Sequence, residues 1–225
     1  METFVTIKVS LVLRPIMEPK ERILVKSHEL FHRYGIRSVS MDDIAAQLGM
    51  SKKTLYQYYA DKDALVGEVF EHMFTSSKAH CAACQQKGEN VIHEVFLSFD
   101  MVQGMLSNMN PAVLFDLRKY HPKGFKKFQD FKNNFLYRML RDNLEKGIEQ
   151  GVYREEIDVE VLVRYRLHSI TLSFDNDVFP SNKTGLLHIE TQLMEHFLYG
   201  IATVKGQKLI SKYKNQRSKK KTDEK

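Results

Sequence analysis

The sequence predicts an all-α protein, with a small N-terminal three-helix domain and a larger C-terminal helical domain. Three observations carry that expectation. Apolar residues recur at three- and four-residue spacing through most of the chain from Glu18 to Val204, the period of helices with one buried face. Ser, Asp or Asn precedes many of these stripes and Gly follows several, as helix caps require. A period of two occurs only near the start, where Val5, Ile7, Val9, Leu11 and Leu13 alternate with Thr6, Lys8 and Ser10. No partner strand follows, and a lone strand is not stable.

Composition sets the bounds. With 225 residues, 43% of them hydrophobic, the chain can form one or two domains with a real core. No apolar run reaches the roughly 18 residues of a transmembrane span. Two cysteines and no secretory signal suit a reducing cytoplasm. The formal charge of +6 is unevenly placed: Lys205 to Lys225 carries nine Lys or Arg against two Asp or Glu. Whole-chain basicity is therefore no argument for a nucleic-acid partner. That argument has to come from local placement.

Met17-Glu18-Pro19-Lys20 reads as a natural start, with Pro19 suited to a first helical turn. Residues 1–16 are expected to be an extra N-terminal arm or a start-site artefact. The first helix runs from Glu18 to Tyr34, with Ile23, Leu24, Ser27, Leu30 and Phe31 on one stripe, and Gly35 ends it. Ile36 and Val39 then plug the small core.

Ser40 to Lys62 organises the chain. Ser40 is the N-cap of a helix from Met41 to Leu48, and Asp42 and Asp43 suit its positive end. Gly49 takes the turn, where a positive φ costs glycine nothing. Ser51 caps a second short helix from Lys52 to about Tyr59. Ile44, Ala45, Leu48, Met50, Leu55 and Tyr58 are expected to face inward. This is the spacing of a helix-turn-helix, whose second helix enters the DNA major groove. Lys52 and Lys53 can offer charge to phosphate or guanine, Thr54 a hydroxyl or methyl, and Tyr56 a phenolic hydroxyl.

Leu48-Gly49-Met50-Ser51-Lys52-Lys53-Thr54-Leu55-Tyr56, then Tyr58-Tyr59, then Lys62-Asp63-Ala64-Leu65, resemble the DNA-binding domain of TetR-type (tetracycline-repressor-like) regulators. The resemblance extends from about Glu18 to Met73. It implies a DNA-binding domain over residues 17–78, with its motif at 41–60, and assigns Thr54, Tyr56 and Lys62 to DNA contact. Ser40 and Met41 match positions near the backbone contacts. Asp42 stands where some relatives carry a basic residue, and its carboxylate would repel phosphate.

A linking helix is expected from Lys62 to about Cys84, capped by Asp61, with Leu65, Val66, Val69, Phe70, Met73 and Phe74 inward. Cys81 and Cys84 read as ordinary helix residues, because no second cysteine pair completes a zinc set. Lys87-Gly88-Glu89-Asn90 breaks the chain before a helix from Val91 to Leu106. Another runs from Pro111 to Tyr120. A long one follows from Pro122 to about Gln150, striped by Phe125, Phe128, Phe131, Phe135, Met139 and Leu140. Asp158 caps the next, and Thr184 to about Val204 is the last long helix. The stripes of these last two are wide enough to face both their own core and a symmetry mate, so a homodimer built on a four-helix bundle is expected.

Residues 79–204 are thus expected to form a helical effector-binding and dimerisation domain. Phe96, Phe99, Met105, Phe115, Phe131, Phe135 and Phe174 are candidates to line a cavity for a small hydrophobic effector. Residues 205–225 are expected to be a basic disordered tail. No metal cluster, phosphate-binding glycine loop or nucleophile motif is legible. The expectation is therefore a cytoplasmic regulator with no catalytic residues and no cofactor, not an enzyme and not in a membrane. It would be a repressor on a palindromic double-stranded DNA operator. The alternative is a small-molecule-binding or scaffold protein whose helix-turn-helix no longer reads DNA specifically.

Overall fold

The computed structural model describes residues 18–180 and 185–223. The expectations for residues 1–16, for Thr184 as the start of the last long helix and for the last two residues of the tail lie outside the described residues. Among those described, every regular element is helical, and a single bridge pairs Tyr153 with Ala202.

Helix α1 spans Pro19–Tyr34, with proline in its first turn and Gly35 at φ +84° behind it. Helix α2, Met41–Leu48, carries a full capping box. Ser40 Oγ accepts the Asp43 N–H at 3.1 Å, and Asp43 Oδ2 accepts the Ser40 N–H at 2.8 Å. Gly49 turns the chain at φ +65°. Helix α3, Lys52–Tyr58, starts from Ser51, whose hydroxyl accepts the Thr54 N–H at 3.0 Å. Helix α4 is the long connector, Lys62–Lys87, capped by Asp61.

The N-terminal core closes on Ile23, Phe31, Ile36, Ile44, Leu55 and Leu65, each at most 1% exposed. At about 1.5–3 kcal/mol per fully buried large side chain, this cluster fixes the angle between α2 and α3. The inward set needs one correction. Tyr58 is 41% exposed, while Tyr59 is 3% exposed and packed in the core. Helix α3 ends at Tyr58 and Tyr59 is extended, at φ −135°. That change of backbone swings the second tyrosine inward, which helical spacing alone would not do.

Helices α5 (Val91–Leu106), α6 (Ala112–Tyr120) and α7 (Pro122–Asp130) follow. The long helix expected from Pro122 is interrupted: Phe131–Leu136 is a π-helical segment, and α8 resumes over Tyr137–Glu149. Phe131 stacks on Phe74 of α4, with centroids 4.7 Å apart. The wider turn shifts the register by about one residue, roughly 100° of rotation in an ordinary helix. Helix α9 is Val159–Leu172, with Asp158 as its cap, and α10 is Leu186–Ile201.

The tail is the largest departure. Residues expected to be disordered from Lys205 form α11, Val204–Asp223. Ile210 and Tyr213 are buried at 0% and 3% exposure. The Tyr213 ring stacks on His93 at 4.5 Å, and its hydroxyl accepts from Asn90 Nδ2 at 2.8 Å. Lys212 meets Glu89, Lys214 meets Glu195 and Arg217 meets Asp100. Composition counted the lysines, but their acidic partners sit on α5, on α10 and in the turn before α5.

Candidate nucleic-acid interface and effector cavity

The helix-turn-helix exposes one face of α3. Lys52, Lys53, Tyr56, Gln57 and Tyr58 are exposed, and Thr54 is half-buried. Leu55 at 0% exposure pins the helix from below. Lys52 is not an independent charge: its Nζ lies 2.8 Å from Asp42 and over the Tyr56 ring. The Asp42 carboxylate holds the Lys52 ammonium above its ordinary value. The residue set aside as repelling phosphate therefore orients a recognition-helix lysine. The Thr54 hydroxyl pairs with Ser51 Oγ at 2.8 Å, so it already belongs to the cap.

Two of the expected contacts are partly or wholly withdrawn from the surface. The Met41 side chain is 6% exposed and lies in the core, so it has no side chain to give to DNA. The first residue of α2 faces inward because its helix packs against α1 from its first turn. Lys62 is half-buried over Phe31 at the start of α4, and desolvation lowers its pKa while Asp116 and Asp43 pull it back up. Gln57 and Tyr58 are the exposed α3 residues that sequence reading missed. Their signal was the short length of α3, which leaves no further turn to bury them.

Below the head lies a cavity of about 260 Å³. Its walls come from α1, α4 to α10 and the π-helical segment. Phe99, Met105, Phe131 and Phe174 line it, as expected. The other three candidates do not. Phe96 is buried against Tyr213 of α11. Phe115 is 54% exposed and lines a second cavity, of about 920 Å³, between α6, α7, α9 and α10. Phe135 lies on Phe131 with Lys78 over its ring. The π-helical turn gives the inner positions to Leu136, Met139 and Leu140 instead.

The polar lining was not anticipated. His28 and His32 of α1 reach the cavity, and the His32 ring bonds the Met105 carbonyl of α5. Burial lowers the His28 pKa, helped by His32 and His72. At the far end Arg166 and Glu190 form a buried pair. Burial pushes the Glu190 carboxyl up, against the pull of Arg166. The sequence signal was a charge at a stripe position: Arg166 sits three after Val163 and four before Ile170.

Helix α6 touches both parts. Val113 and Leu117 face the cavity and also belong to the N-terminal core. Asp116 of the same helix accepts the Arg37 N–H, and His121 Nδ1 lies 2.9 Å from Asp63 Oδ1 at the start of α4.

A capped three-helix head with an exposed second helix, mounted on a hollow helical body, defines a helix-turn-helix protein of the DNA-binding class. Residues 23–69 match the model of the bacterial regulatory proteins, tetR family, so this segment is a TetR-type helix-turn-helix domain. It is similar to the uncharacterized HTH-type transcriptional regulator YvaF of Bacillus subtilis, 37% identical over 103 residues, which are 45% of this chain and 53% of YvaF. The chain thus spans about half the length of that curated relative. Among solved structures, a TetR-family regulator from Agrobacterium tumefaciens aligns over 82% of this chain and 97% of its own, with TM-score 0.67 and 16% identity. FadR from Bacillus subtilis in complex with stearoyl-CoA aligns over 80% and 98%, with TM-score 0.61 and 17% identity. At such identities the likeness carries the fold alone. Among the described residues no helix is long and apolar enough to cross a membrane.

Proposed function

We propose that this protein is a homodimeric cytoplasmic repressor of transcription, released from a palindromic operator by a small, largely apolar effector. The observation that carries the reading is the exposed face of α3, held rigid by Leu55 and by the Ser40 and Ser51 caps. Lys53 and Tyr56 offer charge and a hydroxyl there, and Lys52 is aimed by Asp42. Ser40, Thr54 and Lys62 flank that surface. Lys62 would meet phosphate at the N-terminus of α4, where the helix dipole favours an anion.

The cavity supports effector control. Its mostly apolar wall suits a hydrophobic body, and the FadR neighbour that binds stearoyl-CoA supports that class. An effector filling it presses on α6, whose Asp116, with His121 just beyond its end, holds the loop after α1 and the start of α4. Displacing α6 would re-aim α4 and change the distance between the two heads of a dimer. The effector and the operator would then weaken each other's binding by one shared coupling energy.

Capture of sheared genomic DNA at physiological salt, with wild type and Tyr56→Ala side by side, tests the reading. A few enriched fragments sharing a palindrome, lost in the variant, are expected. Weak enrichment everywhere, equal in both proteins, would instead support a ligand-binding or scaffold protein.

A further inference from the structure

The polar end of the cavity holds one buried oxygen with no partner. Arg166 and Glu190 both line the cavity, at 8% and 3% exposure. Arg166 Nη1 donates to Ser169 Oγ at 2.9 Å, and its Nη2 reaches Glu190 Oε2 at 3.4 Å. Glu190 Oε1 has no donor within bonding distance, and the nearby Ser173 hydroxyl, which also bears on this carboxyl, donates to the Ile170 carbonyl at 3.0 Å. The neighbouring polar groups are satisfied within the protein. Ser77 donates to the Met73 carbonyl and Thr171 to the His168 carbonyl. Asn143 donates to the Val91 carbonyl and accepts from the Tyr153 hydroxyl. Among the described residues that line the cavity, Glu190 Oε1 is the buried side-chain oxygen left over.

We infer that the effector of this cavity is an amphiphile with a protonated amine, whose N–H donates to Glu190 Oε1 while its chain lies along Phe99, Phe174 and Phe197. The inference rests on the cavity being the effector site. A buried acceptor without a donor is costly, and a ligand donor removes that cost. A cation adds at Oε1 without disturbing the bond from Arg166 to Oε2, and a charged donor bonds a carboxylate more strongly than a neutral hydroxyl does. An anionic head has no such place. Arg166 has N–H donors beyond the two in use, but an anion bonded to them would lie beside the Glu190 carboxylate and be repelled by it. The aromatic side chains of the cavity wall add favourable surroundings for an ammonium.

Calorimetric titration of the full-length protein near neutral pH with decylamine, decanol and decanoate, each below its aggregation concentration, tests this directly. Decylamine is expected to bind about tenfold tighter than decanol, the worth of a charge-assisted bond over a neutral one, with decanoate weakest. Glu190→Gln should abolish the preference for the amine and leave decanol within about twofold. Should that variant fail to fold, the wild-type order decides alone. Decanoate binding as tightly as decylamine, an amine preference that survives Glu190→Gln, or no binding by any of the three overturns the inference. The titration contains no DNA. A reversed ligand order with intact operator capture therefore sinks this inference alone, and failed capture with intact amine binding sinks the regulator reading.

Discussion

The Asp116 carboxylate on α6 accepts the backbone N–H of Arg37 at 2.9 Å, across 79 positions of sequence. Asp116 is 6% exposed, so this bond ties a cavity-wall helix to the loop between α1 and the helix-turn-helix at a site sheltered from water. Asp116→Ala strands that N–H and is expected to cost about 1.5–3 kcal/mol, the range for bonds to charged groups. Asp116→Asn keeps an acceptor and should cost less. Denaturant titration measures both. The same pair of variants tests the transmission route: operator affinity in Asp116→Ala should respond less to a cavity ligand than in wild type.

The cap of α2 makes a pH prediction. The Ser40 hydroxyl and N–H both bond Asp43, and they hold its carboxyl below the ordinary value. A carboxyl depressed in the folded state adds stability above its unfolded pKa, and that stability is lost as pH falls through the folded value. Asp43→Asn should therefore flatten the acid limb of a plot of Tm against pH while leaving the neutral-to-alkaline limb parallel to wild type. Ser40→Ala, which removes the other half of the box, is expected to cost about 1 kcal/mol at neutral pH. An unchanged acid limb in Asp43→Asn would show that the box carries no pH-dependent stability.

The docking of α11 is testable at Gly206. A Cβ there would sit 2.1 Å from the Val152 carbonyl oxygen and 3.1 Å from Ala202 Cβ. Backbone cannot yield as a side-chain tip can. Gly206→Ala is expected to destabilise by about 1–3 kcal/mol, as overpacking does. Hydrogen exchange in α11 should accelerate before exchange in α1 to α3. Uniform exchange rates across wild-type α11 as fast as an unstructured chain would contradict the docked helix.

Val161, Tyr165 and Leu172 are exposed along α9, at 59%, 49% and 37%, and Tyr199 of α10 is 36% exposed. Such a strip on two neighbouring helices is the surface a two-fold four-helix bundle would cover. Tyr165→Glu is expected to convert the protein from dimer to monomer at micromolar concentration by sedimentation, with helical content unchanged. A wild type that already sediments as a monomer at that concentration refutes the dimer.

Local signals governed what the sequence could show. The starts of α1 to α5 follow from Pro19, Ser40, Ser51, Asp61 and Asn90, and the end of α2 from Gly49, because a cap acts on residues within four positions of itself, whereas α4 runs on to Lys87, past the expected Cys84. The α3 surface followed too, because a short helix pinned by Leu55 leaves few choices of face. Tyr58 was misplaced because helical spacing was carried one residue past the end of the helix.

The sequence by itself determined the all-α class, the helix-turn-helix and the exposure of Lys52, Lys53 and Tyr56 on α3. Tertiary structure alone decided the rest. It made α11 a docked helix, because the partners of its lysines and of Tyr213 lie on remote elements. It took Phe96, Phe115 and Phe135 out of the cavity, since a wall is defined by which helices meet and a π-helical turn changes which residues face in. It also brought Arg166 and Glu190 together from separate helices. Caps and stripes are short-range and written in neighbouring residues, whereas a cavity and its buried charges depend on how distant helices pack.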